Sequence, residues 1–417
     1  MVCTRNTTTS TASRVHAGPT IIALVLLLVG CAGNGTPRPT PTAAVVVPPV
    51  ATATPSAPAV PTDTPPPTLE PALEALLAPG PSYSAPPRVF FRHGDDLWQL
   101  PANGEPAPVT NRLRIGPFAA SPDGGQVAVV IYTRERGEDL QEVRILNAAG
   151  ETQAVTVERT LATPAIVAIA WSWDAAWLAL GWDDGALAIV PAGPAVGPVV
   201  PFNSTGNPGN LVRLEWAPNN AGLIWLSASA LGNSLVVTPL GGDRIVLADA
   251  SATPARPVRS FAWLPGRGRI AYVEGTAAAT GAPSSIHTIL PDGTARELLV
   301  SAGQFGPVSY IEDLTASPDG HRLAFTVFMP DTTGSSRFTS LWVLNIDSGD
   351  LDEVRVPGDV RVTDLWWISS GLLWRGVDIA TPAHGSPAEY SGIGAFILGV
   401  YSFDSLSSEI VLRATGE

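Results

Sequence analysis

The sequence is poor in cysteine, histidine and basic residues, and each shortage closes off a class of protein. Two cysteines in 417 residues cannot build a disulfide scaffold, and no Cys/His metal spacing is present. Five histidines leave few general bases. Neither H-E-x-x-H nor G-x-S-x-G occurs, and no glycine loop of the phosphate-cradling kind. Lys+Arg number 24 against 37 Asp+Glu, a formal charge of −13, which works against nucleic acid or an anionic membrane surface as partner. Helix-type apolar periodicity is nearly absent while tryptophan, at 12, is abundant; together these favour an all-β chain.

What is there begins with an export signal. Arg5, Arg14 and His16 precede the apolar run Ile21-Ile22-Ala23-Leu24-Val25-Leu26-Leu27-Leu28-Val29. Such a run is too short to span a bilayer and fits a signal-peptide core. It ends in Leu28-Val29-Gly30-Cys31, which resembles the bacterial lipobox. That resemblance implies a lipoprotein signal peptide over residues 1–30 and lipidation of Cys31, which becomes the new N-terminus. Acyl chains on Cys31 would tie the protein to a membrane, cell membrane or outer envelope, with its globular part outside the cytoplasm. Removing residues 1–30, which hold Arg5, Arg14 and no acid, takes the charge from −13 to −15. It also removes Cys3, so the mature chain has no disulfide and its core must come from packing alone.

Residues 31–87 are rich in Pro, Thr and Ala, as in Thr36-Pro37-Arg38-Pro39-Thr40-Pro41-Thr42 and Pro61-Thr62-Asp63-Thr64-Pro65-Pro66-Pro67. Such composition buries no core and reads as a disordered, extended tether of roughly 170 Å. A short amphipathic turn, Leu69 to Leu77, either docks on the globular part or shares the disorder.

From residue 88 onward the chain repeats itself. The turn Ala316-Ser317-Pro318-Asp319-Gly320 is matched by Ala120-Ser121-Pro122-Asp123-Gly124. Looser copies stand at Trp171-Ser172-Trp173-Asp174-Ala175, Trp216-Ala217-Pro218-Asn219-Asn220, Trp263-Leu264-Pro265-Gly266-Arg267 and Trp367-Ile368-Ser369-Ser370-Gly371. The interval is roughly 45 to 53 residues, the period of a propeller array. Pro presets the second turn position and Gly closes the fourth, and apolar β-type runs flank each copy. A second hairpin follows in each unit, for example at Leu341-Trp342-Val343-Leu344 before Asp347-Ser348-Gly349. These residues resemble the WD40-like repeats of the Tol-type (TolB-like) periplasmic propellers, over about residues 88–417. The resemblance implies a β-propeller of four-stranded antiparallel blades.

Seven sets of outer strands favour seven blades; six is the alternative. Blade 1, over about 89–110, lacks a visible inner strand, which Pro81–Arg88 or the C-terminal run Glu409–Arg413 must supply. The favoured closure packs the N-terminal segment there. The tryptophans ending the inner strands, Trp171, Trp216, Trp263 and Trp367, read as wedges between blades, since they repeat at one phase.

Candidate binding residues lie just upstream of the turn: Arg213, Arg259, Glu312, Asp313 and Asp364, with Arg361 slightly earlier. In a propeller these ring the mouth of the central channel. Loops leading into the inner strands open on that face, as do the long connections Glu274–Ser285, Phe328–Ser340 and Gly376–Gly394. The last supplies His384 and Tyr390 as further ligand contacts. Inter-blade ion pairing is the competing explanation for the charged residues. Asp347, Asp350, Asp352 and Glu353 lack calcium-loop spacing and read as a solvated turn. No metal or cofactor is expected. The sequence thus reads as a monomeric, lipid-anchored binding scaffold for an envelope protein or glycan, without catalysis. The alternatives are a lyase or hydrolase working through Glu312, Asp313 or His384, and a Tol-like envelope accessory protein.

Overall fold

Strand, tight turn, strand, connection, hairpin: six times the chain runs through this order, and six times the four strands pair in sequence. The computed structural model describes residues 71–417 apart from 103, 136–137, 161–163, 194–199, 203–209, 276–283, 307–308, 331–336, 358–359, 379–395 and 415–417. A short helix, α1 (Pro71–Leu77), precedes the sheets. Blade 1 holds β1 (Arg88–His93), β2 (Asp96–Pro101) and β3 (Ala107–Pro108). Blade 2 holds β4 (Ile115–Ala120), β5 (Gln126–Glu135), β6 (Glu138–Asn147) and β7 (Thr152–Thr160). Blade 3 holds β8 (Ile166–Trp171), β9 (Trp177–Trp182), β10 (Leu187–Pro191) and β11 (Val200–Phe202). Blade 4 holds β12 (Asn210–Trp216), β13 (Gly222–Ser229), β14 (Gly232–Pro239) and β15 (Ile245–Ala248). Blade 5 holds β16 (Val258–Leu264), β17 (Arg269–Glu274), β18 (Ser285–Ile289) and β19 (Glu297–Ser301). Blade 6 holds β20 (Tyr310–Ala316), β21 (Arg322–Pro330), β22 (Arg337–Asn345) and β23 (Leu351–Val354). Blade 7 holds β24 (Val360–Ile368), β25 (Gly371–Asp378), β26 (Phe396–Ser402) and β27 (Ser407–Ala414).

The protein is therefore a seven-bladed β-propeller. Its hydrophobic core falls into seven clusters, each formed between two neighbouring blades. The cluster between blades 7 and 1 closes the ring with Val89, Phe91, Leu100, Ile368, Leu373, Phe396 and Leu398. Each side chain of this size contributes about 1.5–3 kcal/mol when buried, so packing holds the seam without a shared strand.

Two expectations about closure are corrected here. Among the described residues blade 1 has three strands, and β1 is the innermost of them, touching both β4 and β24. Phe90 and Phe91 are buried against the neighbouring blades, Phe90 in the cluster with blade 2 and Phe91 in that with blade 7. The run Glu409–Arg413 belongs to β27, the outermost strand of blade 7. The connection read as Phe328–Ser340 is shorter, because β21 and β22 extend to Pro330 and from Arg337.

The repeated turn has a side-chain frame that survives the loss of Pro and Gly. In blade 2 the Ser121 hydroxyl donates to Asp123 Oδ1 at 2.6 Å and accepts from the Gln126 amide at 2.9 Å, while Asp123 accepts from the Gly125 amide. Blades 3 and 6 repeat this with Ser172/Asp174 and Ser317/Asp319. The Ser121 hydroxyl, followed by the Gly125 amide, holds the Asp123 carboxyl below the ordinary range. The closing residue is left-handed each time: Gly124, Ala175, Asn220 and Gly320 have φ of 66°, 57°, 57° and 71°. The wedge tryptophans are buried as expected and do more than fill space. Indole N–H groups of Trp171 and Trp216 donate to Ala119 O and Ala170 O, at 2.8 and 3.1 Å, on the inner strand of the preceding blade.

Residues 71–87, which composition assigns to the tether, pack on the face carrying these turns. Leu76 of α1 is buried in the blade 4–5 cluster. Asn219 donates to the carbonyls of Ala75 and Ala78, at 2.9 and 2.7 Å. Here the turn's usual Asp is replaced because a donor is needed: Oδ1 keeps the turn contact with the Ala221 amide while Nδ2 holds the helix end. The chain then crosses the ring. Gly80 O accepts from Gly266 in blade 5, and the Tyr83 amide donates to Pro318 O in blade 6 at 3.0 Å. The Tyr83 ring stacks on Trp173 of blade 3 at 4.1 Å, and its hydroxyl donates to Pro218 O of blade 4. Blades 3 and 6 stand on opposite sides of a seven-blade ring, so this strap lies across that end of the channel. Asn219→Asp removes the donor and sets a carboxylate against helix carbonyls. It is expected to weaken docking by about 1–3 kcal/mol, seen as faster amide exchange in residues 71–85 with blade exchange unchanged. Equal exchange in both proteins would refute the role given to Asn219.

Candidate functional site

At the other end of the channel all six four-stranded blades share one irregularity. Every inner strand carries a single extra residue against its neighbour. The register slips between Ile115 and Phe118, Ile166 and Ala168, Leu211 and Arg213, Val258 and Ser260, Ile311 and Leu314, and Val362 and Asp364. A β-bulge of this kind bends the strand and re-aims a side chain. The bulged residues include Val167, Val212, Arg259, Glu312, Asp313 and Thr363, so three of the sequence-predicted contacts owe their position to a bulge.

The remaining predicted contacts stand beside these, and pairing between blades is what brings them together. Glu312 lies 3.2 Å from Arg361 and 4.0 Å from Arg259, joining blades 5, 6 and 7. Arg259 and Arg361 also cover the rings of Tyr310 and Phe328, at 4.8 and 5.7 Å. Arg213 lies 2.6 Å from Glu215 and 3.6 Å from Asp313. Ser260 completes that link, accepting from Arg213 at 3.0 Å and donating to Asp313 at 2.7 Å. Asp364 lies 2.6 Å from Arg375, a partner that the sequence reading missed because it sits on the second strand of the blade. His384 and Tyr390 lie outside the described residues, as does Cys31.

Electrostatics follow from this crowding. Arg213 and Glu215 keep about a third of their side-chain surface open. Burial pushes the Glu215 carboxyl up, against the pull of Arg213. The same burial works against the Arg213 charge and is outweighed by Glu215 and Asp313, so Arg213 stays charged. No group of three His, Cys, Asp or Glu side chains among the described residues is placed to hold a metal ion. In the acidic outer turn of blade 6, Asp347 is engaged by Arg267 and His321, and Asp350 by Ser348.

Beside this network lies an open cavity of about 720 Å³, reached from blades 1 to 4 and lined by Arg92, Arg114, Phe118, Val167, Val212 and Arg213 among others. The sequence reading missed Arg92, Arg114 and Val212. Their positions depend on a hairpin end and a bulge, not on the phase of the tryptophans.

No protein-family model matches the chain, and no curated protein sequence matches it. Solved structures do. The chain is similar to a structure from a study of two prolyl endopeptidases, with 15% identity and a TM-score of 0.53 over 82% of this chain and 52% of that one. It therefore spans about half the length of that chain. It is also similar to a putative TolB from Agrobacterium tumefaciens, with 12% identity and a TM-score of 0.43 over 63% of this chain and 84% of that one. A nidogen/laminin complex gives 13%, 0.43, 64% and 92% for the same quantities. At such identities the likeness concerns the propeller fold alone.

Proposed function

We propose that the protein is a binding scaffold of the cell envelope, a propeller tethered through lipid on Cys31 that offers its open channel mouth to a protein or glycan partner. The single observation behind this reading is the row of six in-phase bulges turning side chains toward the mouth. A rigid ring with aimed side chains suits recognition. The strap occupies the far end, so the bulged end is the one assigned to a partner.

The mouth carboxylates support binding over catalysis. Glu312 is shared by two arginines, and Asp313 accepts from Ser260 and the Leu314 amide. Carboxylates engaged in this way hold the side chains of the mouth in fixed positions, which suits recognition.

The test is a pull-down from intact envelope. Wild-type protein is compared with a variant altered on both sides of the mouth, carrying Arg114→Gln, Arg259→Gln, Glu312→Gln and Arg361→Gln together, after confirming an unchanged unfolding midpoint. The variant is expected to lose the partners that the wild type retains. An identical set of captured proteins and glycans would overturn the reading. A Cys31→Ser arm is expected to move the protein from the membrane fraction to the soluble one.

A further inference from the structure

The mouth is chemically divided. Bulges in blades 5, 6 and 7 contribute Arg259, Glu312, Asp313 and Thr363. On that side guanidinium and carboxylate groups satisfy one another. Bulges in blades 2, 3 and 4 contribute Pro117, Val167 and Val212. Val212 keeps 50% of its surface exposed, and β8 lines the cavity with Val167, Ala168 and Ile169, none of them polar. An aliphatic wall exposed inside a concavity marks a contact surface.

Two cations flank this wall. Arg92 lies 3.7 Å from Asp95, whose side chain is 77% exposed, so the pair is loosely held. Arg114 covers the Tyr132 ring at 5.6 Å and has no carboxylate partner among the described residues. The named acids and bases of the mouth otherwise balance, so Arg114 is a surplus positive charge on a chain of net charge −13. A carboxylate is repelled by most of this molecule and attracted here.

Resting on the reading of the mouth as a binding site, we propose that its ligand is a peptide segment of a partner protein. An aliphatic side chain of that segment packs on Val167 and Val212, and a neighbouring carboxylate pairs with Arg114. Peptide is favoured over glycan because the wall is aliphatic, with Val167, Ala168, Ile169 and Val212, and the Tyr132 ring is engaged. Tyr132 is covered by Arg114 on one side, and a Cβ at Gly116 would stand 2.8 Å from its hydroxyl oxygen. The segment enters as a loop or chain end and does not thread, since the strap lies across the far end.

The experiment selects short random peptides displayed against the full-length protein and measures the enriched ones as synthetic, labelled probes. Enrichment of Asp or Glu beside Leu, Ile or Val is expected. Arg114→Glu, Val212→Asp, and replacing the peptide's acid by its amide are each expected to weaken binding about tenfold or more. Should Val212→Asp lower the unfolding midpoint, Val212→Ala takes its place. Enriched peptides that ignore Arg114 and Val212 but need Arg259 or Arg361 would overturn this inference and leave the mouth a binding site. Failure to enrich any peptide overturns the peptide class, while the envelope pull-down still decides whether the mouth binds at all.

Discussion

Gly320→Ala is expected to destabilise the propeller by about 2–4 kcal/mol, although it adds a single methyl group. Gly320 closes the turn of blade 6 at φ 71°, and a Cβ built there stands 1.9 Å from the carbonyl oxygen of Pro265, on the matching turn of blade 5. The carbonyl is backbone and cannot rotate aside, so two blades must move apart. That movement also strains the bond from Arg267 Nε to Gly320 O, 2.7 Å long. Gly349 provides the control. Its φ of 77° is as unfavourable to alanine, but nothing lies within 4 Å of a Cβ there. Gly349→Ala is therefore expected to cost only the left-handed backbone term, about 1 kcal/mol. Urea unfolding of the two variants separates contact from conformation. Equal losses would show that the turns of blades 5 and 6 do not abut.

Why the sequence revealed the ring but not its mouth follows from which features are local. The Ser–Asp frame and the left-handed closing residue are written within five consecutive positions, so even Trp171–Ala175, without Pro or Gly in their usual places, keeps a legible turn. The tryptophans repeat at one phase for the same reason. A bulge is different, because it is a mismatch between two strands and has no signature in either alone. Val212 therefore looked like any strand valine, and Arg213 was picked out by its charge and its place just upstream of the turn. The pairing of Asp364 with Arg375 was hidden because it joins inner and second strands. Docking of Leu69–Leu77 stood as one of two readings, but its partners were hidden, since Asn219 meets Ala75 and Tyr83 meets Pro218 across more than a hundred residues. The missing strand of blade 1 misled for a physical reason. Composition shows that no inner strand is spelled out there, not that side chains such as Phe91, Ile368 and Phe396 pack the seam between blades 7 and 1.

Trp216→Ala is expected to cost about 3–5 kcal/mol, the largest loss from any of these changes. Trp216 ends the inner strand of blade 4 and is buried against Ala168, Ala170, Leu187 and Trp225, between blades 3 and 4. Truncation leaves a cavity that two rigid sheets cannot collapse to fill. Trp216→Phe keeps most of the wedge but deprives Ala170 O of its indole donor, at an expected cost of about 1–3 kcal/mol. If phenylalanine proves as costly as alanine, the hydrogen bond holds the blades and the wedge does not. The alanine variant is also expected to loosen the strap. Trp173 donates its indole N–H to Trp216 O at 3.2 Å and stacks on Tyr83, whose hydroxyl is held by Pro218 two residues further on. A shift of the Trp216 backbone thus reaches Tyr83 by two routes. Faster amide exchange at residues 82–85 would follow in Trp216→Ala and not in Trp216→Phe, because only the first empties the space against which that backbone is braced.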